Sequence, residues 1–224
     1  CALPISRHVV DPSKLVASAK TVYGEAQFHR LYGVIEPVAE ERVLKINDGY
    51  VWSWGSSKAK FKFIYTEGHA RHHMVIFDEA TNSIFTGDSF GVCYPVLQRH
   101  GLLIFPSTSP TDYDGDAARK SLDLICDTGA RTAYPTHYGA LTDLVGAKTQ
   151  LLSWFDRSDQ ILESCRERKL TMETATNFAY EALKVEMLDA AKKQGLELNE
   201  ADLQLLELDL RINAQGLAWV ALKT

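Results

Sequence analysis

The pattern of hydrophobic and polar positions predicts short strands in the first part of the chain and long helices in the last. Between residues 31 and 86, apolar residues occur in short β-rich runs. Turn-forming sequences such as Asn47-Asp48-Gly49 separate these runs. The predicted strands are 42–46, 49–54, 61–65, 74–77 and 83–85. Because such short strands follow one another through turns, we predict an antiparallel meander.

Helical patterns flank this meander. Asp11-Pro12-Ser13 predicts the start of a helix over residues 14–23, and Gly24 is suited to end it. After the meander, residues 117–127 have helical spacing, and a further strand is predicted at 131–134. The acidic residues before the helix at 117 have the charge that favours a helix N-terminus. They are Asp112, Asp114 and Asp116.

The last third of the chain has the pattern of long amphipathic helices. Thr171-x-x-Thr174 and Asn199-Glu200-Ala201-Asp202 are typical of helix starts. The predicted helices are 142–169, 171–194, 199–211 and a short final segment, 213–222. We therefore predict a core over residues 1–140 and a helical extension over 141–224, with the extension acting as a lid or packing element.

Composition narrows the function classes. The chain has 224 residues, 46% hydrophobic, and a formal net charge of −5. It has no basic patch with interleaved aromatics, so we expect a small-molecule partner rather than nucleic acid or a membrane. The four cysteines are widely spaced, which indicates a reducing cytoplasm and argues against zinc held by thiolates. They are Cys1, Cys93, Cys126 and Cys165.

Three residues carry the candidate chemistry: His69, Asp88 and His137. Each follows a predicted strand, so strand ends would bring them into loops at one edge of a sheet. Imidazole nitrogen and carboxylate oxygen are ligands that zinc prefers, and a catalytic zinc keeps one position open for water. They lie too far apart in sequence for one helix to join them. The sequence therefore predicts part of a zinc site, assembled by a folded sheet.

Three segments give a more specific resemblance: Gly68-His69-Ala70-Arg71-His72-His73, Phe85-Thr86-Gly87-Asp88-Ser89 and Thr136-His137-Tyr138-Gly139. Their order, spacing and flanking glycines resemble the second half of the metallo-β-lactamase superfamily signature, in its glyoxalase-II-like branch. The likeness covers residues 35–139. It implies an α+β fold, the αββα four-layer sandwich. It also implies hydrolysis of a small ester, thioester or lactone by a metal-bound hydroxide.

The same resemblance implies a role for each candidate residue. His69 would complete a first metal site and His137 a second. Asp88 would bridge the two metals and position the catalytic hydroxide. Two zinc ions are implied, with iron or manganese as alternatives.

The chain departs from the family pattern upstream of His69. A His-x-His-x-Asp-His motif is expected there, but the only upstream histidines are His8 and His29, and neither lies in such a motif. We therefore expect a fold that is incomplete at the N-terminus, lacks most of its first sheet and binds metal weakly or not at all. Residues 1–5 also resemble a translated sequencing adapter, and a genuine terminus stays open as the alternative.

His73 and Tyr138 lie near candidate ligands in the sequence. His73 starts the strand at 74–77, so we predict that it supports a ligand or packs rather than binding metal itself. Tyr138 follows a candidate ligand and is a candidate substrate contact. We regard covalent catalysis by a serine or cysteine as the weaker option and expect a metal-bound hydroxide instead.

Two alternatives to a hydrolase remain. One is a noncatalytic relative that binds a small ligand or forms a homodimer through its helices. The other is a di-iron oxidoreductase on the same fold, because the three candidate ligands do not distinguish iron from zinc.

Overall fold

The computed structural model describes residues 3–53, 55, 60–108, 113–137 and 139–223. Trp54 of the predicted strand 49–54, Asp112 and Tyr138 lie outside the described residues. The chain divides into two compact units, one up to Tyr50 and one from Val51 onward. The boundary predicted between residues 140 and 141 thus falls inside the second unit, where strand and helix on either side share one core.

The first unit is helical. It contains α1 (Leu3–Val10), α2 (Ser13–Tyr23), α3 (Glu25–Tyr32) and a single 3-10 turn, Glu40–Arg42. Helix α2 agrees with the prediction, and Gly24 ends it with a φ of 76°. The strand predicted at 42–46 is wrong: Arg42 ends the 3-10 turn, residues 43–45 form no strand, and Ile46 forms only an isolated bridge. A β-prone sequence makes a strand only where a neighbouring strand pairs with it.

The second unit is built on one mixed sheet. Its strands are β1 (Val51–Ser53), β2 (Lys60–Tyr65), β3 (Met74–Asp78), β4 (Ser83–Gly87) and β5 (Thr132–Pro135), in the order β1-β2-β3-β4-β5. The first four strands are antiparallel, as the predicted meander requires. Strand β5 is parallel to β4. The carboxyl ends of β2, β4 and β5 therefore lie at the same edge of the sheet.

Helix α4 (Gly115–Asp127) connects β4 to β5. The side chain of Asp114 caps it by accepting a hydrogen bond of 3.0 Å from the backbone N–H of Ala117. This cap satisfies one of the amides that a helix start leaves without a partner. Asp116 lies in the first turn. Both carboxylates occupy the helix N-terminus, where negative charge is favourable.

The two faces of the sheet differ. On one face Val75, Ile84 and Ala133 are fully buried in the main hydrophobic cluster. On the other face, a row of paired apolar residues crosses four strands: Phe63, Ile76, Phe85 and Tyr134. Within this row the rings of Phe85 and Tyr134 are stacked, with centroids 5.4 Å apart, and are 46% and 39% exposed. One face is thus core, and the other carries exposed aromatic rings.

Three long helices complete the second unit: α5 (Leu144–Glu167), α6 (Met172–Lys193) and α7 (Glu200–Leu222). The predicted starts are confirmed, because Thr171 with Thr174 and Asn199 with Asp202 form capping boxes. The break predicted between residues 211 and 213 is wrong. Helix α7 runs through Asn213, whose side chain bonds to a neighbouring loop rather than to its own helix backbone.

No helix within the described ranges combines the length and hydrophobicity that crossing a bilayer requires.

Candidate metal centre

The fold brings the three predicted residues together. His69 lies in the loop after β2, Asp88 directly follows β4, and His137 follows β5. Nε2 of His69 is 3.4 Å from Oδ2 of Asp88, and Nε2 of His137 is 3.1 Å from Oδ1. Each carboxylate oxygen therefore faces a different histidine.

The ring of His69 is oriented by the backbone. Its Nδ1 lies 3.0 Å from the carbonyl oxygen of Ser107. A carbonyl oxygen can only accept, so Nδ1 carries the hydrogen and donates it. The lone pair is then on Nε2, the atom that faces Asp88. A metal-binding histidine usually has this arrangement, with its far nitrogen held by a hydrogen bond.

His73 holds the backbone of Asp88. Its Nε2 accepts a hydrogen bond of 3.0 Å from the backbone N–H of Asp88, so the hydrogen is on Nδ1. Nδ1 lies 2.8 Å from Oγ of Ser89 and 3.0 Å from Oγ1 of Thr66. Burial, with a contribution from His69, lowers the pKa of His73 to about 4. The ring is neutral at pH 7, and both nitrogens already have partners.

Two glycines allow the close packing of this site. Gly87 has a φ of 52°, and a Cβ there would lie 2.4 Å from Nε2 of His73. Gly68 has a φ of 124°, and a Cβ there would lie 2.4 Å from the backbone of Ala118. Any larger residue would push His73 away from Asp88 or the His69 loop away from α4. Steric crowding thus explains why glycine stands next to the predicted ligands His69 and Asp88.

The carboxylate of Asp88 is in an unusual electrostatic setting. Burial acts to raise its pKa, but His137, His69 and His73 together outweigh this and lower the pKa. Contact with Asp88 raises the pKa of His137 despite partial burial. Although His137 Nε2 is close, Oδ1 of Asp88 accepts no hydrogen bond of good geometry among the described residues and is buried. A buried carboxylate oxygen of this kind is suited to a cation.

The donor atoms fit zinc in kind. With zinc bonds of about 2.0–2.2 Å in tetrahedral geometry, two ligand atoms are about 3.3–3.6 Å apart. The separation of 3.4 Å between His69 and Asp88 lies in this range, and the 3.1 Å between His137 and Asp88 is slightly shorter. Within the described residues, however, no group of three or more His, Cys, Asp or Glu side chains is placed to hold one ion. Two donors for each ion predict weak binding, since zinc sites in proteins usually have three or four.

Sequence reasoning missed the contribution of α7. The side chain of Asn213 donates to the carbonyl of Pro106 at 2.9 Å and accepts from the N–H of Thr108 at 2.8 Å. These bonds fix the loop whose Ser107 carbonyl orients His69. Asp209, one turn earlier, accepts a hydrogen bond of 2.8 Å from the hydroxyl of Tyr94 and interacts electrostatically with His137. Polar residues on an otherwise apolar helix face were the signal that could have found them.

A narrow cavity of about 10 Å³ opens beside this group, large enough for one water-sized molecule. His69, Asp88, Ser89 and Glu67 are among its lining residues. The candidate site therefore has space for about one water molecule next to the carboxylate.

Comparison with known proteins supports the fold that the motif resemblance implied. No family model matches the chain. Over 102 residues it is 33% identical to the metallo-β-lactamase fold-containing protein ST1585 of Sulfurisphaera tokodaii, and this segment covers 45% of the chain but only 34% of that relative.

Two solved structures are similar over almost the whole chain. One is an archaeal metallo-β-lactamase superfamily protein, ST1585 from Sulfolobus tokodaii, with a TM-score of 0.60, 21% identity, and coverage of 95% of this chain and 67% of that one. The other is a metallo-β-lactamase family protein from Thermus thermophilus, with a TM-score of 0.51, 17% identity, and coverage of 96% and 61%. The chain therefore has the metallo-β-lactamase fold.

Proposed function

We propose that this chain belongs to a metal-dependent hydrolase of the metallo-β-lactamase superfamily, acting on a small ester, thioester or lactone. The observation that carries the proposal is the position of Asp88 between two histidines, one at each carboxylate oxygen. The glyoxalase-II-like branch is part of the proposal and rests on the motif resemblance. The residues proposed to hold two zinc ions are His69, Asp88 and His137.

In the proposed reaction, the metal ions and the protein residues have different tasks. A bound metal ion lowers the pKa of its water to about 7 and polarises a substrate carbonyl. The residues of this chain supply the placement. Ser107 holds the His69 ring with its lone pair toward Asp88, and His73 holds the backbone of Asp88. Such placement matters because small displacements of reacting groups cost large factors in rate.

The test combines metal binding with hydrolysis. The chain is loaded separately with zinc, iron and manganese, the bound metal is counted, and one ester, one thioester and one lactone are offered. Asp88→Asn should lose the metal and lower hydrolysis at least about 100-fold, since it removes the charge that the ions share. Asp116→Asn, an exposed carboxylate outside the site, is the matched control. If the Asp88 variant hydrolyses within a few-fold of the parent, the assignment of Asp88 as a catalytic metal ligand is wrong.

A second candidate is a noncatalytic relative that binds a small ligand. It is favoured by the two donors per ion that the described residues provide. Metal stoichiometry separates the two functions. A chain that takes up no metal at millimolar concentration and hydrolyses none of the three substrates is the noncatalytic protein. Stable iron with visible colour and oxygen consumption would instead indicate the di-iron oxidoreductase.

A further inference from the structure

Helix α7 is bonded to the surroundings of the candidate metal centre through two side chains of one face. Asn213 binds the loop whose Ser107 carbonyl orients His69. Asp209, one turn earlier, accepts a hydrogen bond of 2.8 Å from the hydroxyl of Tyr94. Side chains one turn apart lie above one another on a helix. The same helix face therefore reaches two different segments beside the site.

The segment that contains Tyr94 also holds His137. The backbone N–H of Cys93 donates a hydrogen bond of 3.1 Å to the carbonyl oxygen of His137. Cys93 and Tyr94 are consecutive residues, so the bond to Asp209 and the bond to His137 hold adjacent points of one segment. The carboxylate of Asp209 also interacts electrostatically with His137. Helix α7 is thus linked to His137 through Tyr94 and Cys93.

This segment is also paired with the loop that orients His69. Val92 and Phe105 form an antiparallel bridge with N···O distances of 2.8 and 3.2 Å, and both residues are buried. Ser107 follows Phe105 within the same loop. The two proposed ligand histidines are therefore held by segments that are bonded to each other and to the same helix.

The bond between Tyr94 and Asp209 matters because the carboxylate is partly buried. Burial raises the pKa of Asp209 above its usual value, although the Tyr94 hydroxyl and His137 act to lower it. A buried carboxylate that loses a donor carries a desolvation cost that nothing offsets. Without the hydroxyl, the Tyr94 segment loses this attachment to α7, and the backbone that holds His137 is less firmly placed.

We propose that Tyr94 and Asp209 are positioning residues for His137. Their hydrogen bond sets the place of this histidine relative to Asp88, as Asn213 does for His69. The inference rests on the proposed function, because it assigns the pair to the second of two proposed metal ions. Neither Tyr94 nor Asp209 is a metal ligand in this assignment. Helix α7 then determines the distance between the two histidines, and with it the separation of the ions that the carboxylate between them would bridge.

The first test is hydrogen exchange of the metal-free chain, followed at single amides by NMR. Tyr94→Phe removes only the hydroxyl. The N–H of Cys93 should lose protection from exchange by at least about tenfold, since a hydrogen bond to a charged group is lost nearby. Amides of the central strand β3 should keep their protection, because the opening is local. A general loss of stability would instead affect β3 as well.

Two changes at Asp209 separate the hydrogen bond from the bulk of the side chain. Asp209→Leu removes the acceptor and should give the same local loss of protection at Cys93 as Tyr94→Phe. Asp209→Asn keeps an oxygen that can accept from the Tyr94 hydroxyl, so it should retain the protection of the parent.

Tyr180→Phe is the matched control. The hydroxyl of Tyr180 donates a hydrogen bond of 2.6 Å to the carboxylate of Glu207, which also lies on α7. The variant therefore removes the same kind of bond from the same helix. Protection of the Cys93 N–H and zinc binding should both stay as in the parent.

The second test is a zinc titration followed at the imidazole signals of His69 and His137, which are assigned with His→Gln variants. In Tyr94→Phe the signal of His137 should respond only at about tenfold higher zinc concentration, the lower end of the range for groups that orient metal ligands. The signal of His69 should respond as in the parent, because Asn213 and Ser107 are unchanged.

Three results would overturn the proposal: unchanged protection of the Cys93 N–H in Tyr94→Phe, an equal loss in Tyr180→Phe, or a zinc response that weakens at His69 as much as at His137. If zinc moves neither ring in the parent while Tyr94→Phe lowers the protection of Cys93, the proposed function alone is rejected. Metal-dependent hydrolysis by the parent together with unchanged Cys93 protection in Tyr94→Phe rejects only the role of the Tyr94–Asp209 pair.

Discussion

The backbone N–H of Asp88 donates a hydrogen bond to Nε2 of His73, 3.0 Å away. This bond holds the backbone from which the proposed bridging carboxylate extends. The same bond determines the tautomer of His73. Because Nε2 accepts, Nδ1 carries the hydrogen and faces Ser89 and Thr66. His73 thus acts on metal binding through Asp88 rather than through a bond of its own.

Replacing His73 by Gln should therefore weaken metal binding without removing a proposed ligand. We expect zinc affinity to fall about 10- to 100-fold, the range typical of groups that orient metal ligands. Competition with a coloured chelator measures the affinity. His100→Gln changes an exposed histidine and should leave it unchanged. Equal affinity of the His73 variant and the parent would contradict the positioning role.

The buried state of His73 also predicts a dependence of stability on pH. Its pKa is about 4 in the folded protein against an ordinary value of 6.5, so the unfolded chain takes up the proton first. The stability that this histidine contributes is complete above pH 6.5 and is lost as the pH falls toward 4. Such a shift corresponds to about 3 kcal/mol.

Urea unfolding of the metal-free chain at pH 7.5 and at about pH 4.5 measures this loss, since the two values span most of the titration. The parent should lose more unfolding free energy between them than His73→Gln, because the variant has no imidazole to protonate at this position. Carboxylates titrate in both proteins, so the difference isolates the histidine. Parallel pH profiles would show that His73 is not held neutral by the fold.

Gly87 offers a test of the contact between β4 and His73. Gly87→Ala places a methyl group 2.4 Å from Nε2 of His73 at a φ of 52°. We expect it to lower the unfolding free energy by about 2–4 kcal/mol, from backbone strain and overpacking together. Zinc affinity should fall with it.

Gly129→Ala is the matched control, because Gly129 has a φ of 71° and no atom within 4 Å of its added Cβ. It should show only the backbone strain, about 1–2 kcal/mol, with zinc affinity retained. Chemical denaturation gives the two stabilities, and chelator competition gives the two affinities. If the two variants lose equal stability and bind zinc alike, the close approach to His73 has no energetic effect.

Asn213 connects α7 to the candidate site. Asn213→Leu has a similar volume but leaves the N–H of Thr108 and the carbonyl of Pro106 without their buried partner. We expect a loss of about 2–4 kcal/mol in unfolding free energy, since each unsatisfied buried group costs about 1–3 kcal/mol. Zinc affinity should also fall, because Ser107 lies between these two residues and orients His69.

The control for this variant is Gln215→Leu, an exposed position on the same helix. Its stability should stay within about 0.5 kcal/mol of the parent. An Asn213 variant that loses stability but keeps the parent's zinc affinity would show that α7 supports the fold without influencing the site.

Local signals explain most of the elements that were predicted correctly. Strands β2 to β5 and helices α4 to α6 follow from hydrophobic periodicity, turns and caps, which act over a few residues. The predicted strand at 42–46 failed because pairing depends on a distant partner. The break before Asn213 was misplaced because the polar residue is satisfied by a loop more than 100 positions away.

The sequence by itself determined that His69, Asp88 and His137 follow strands, because alternation of apolar residues and flanking glycines are local properties of the chain. Only the tertiary structure decided that each oxygen of Asp88 meets a different histidine, that His73 is neutral and that α7 is bonded to the segments beside both histidines. The physical reason is that distances between side chains, burial and the resulting pKa shifts arise from packing of segments remote in sequence, which no local pattern encodes.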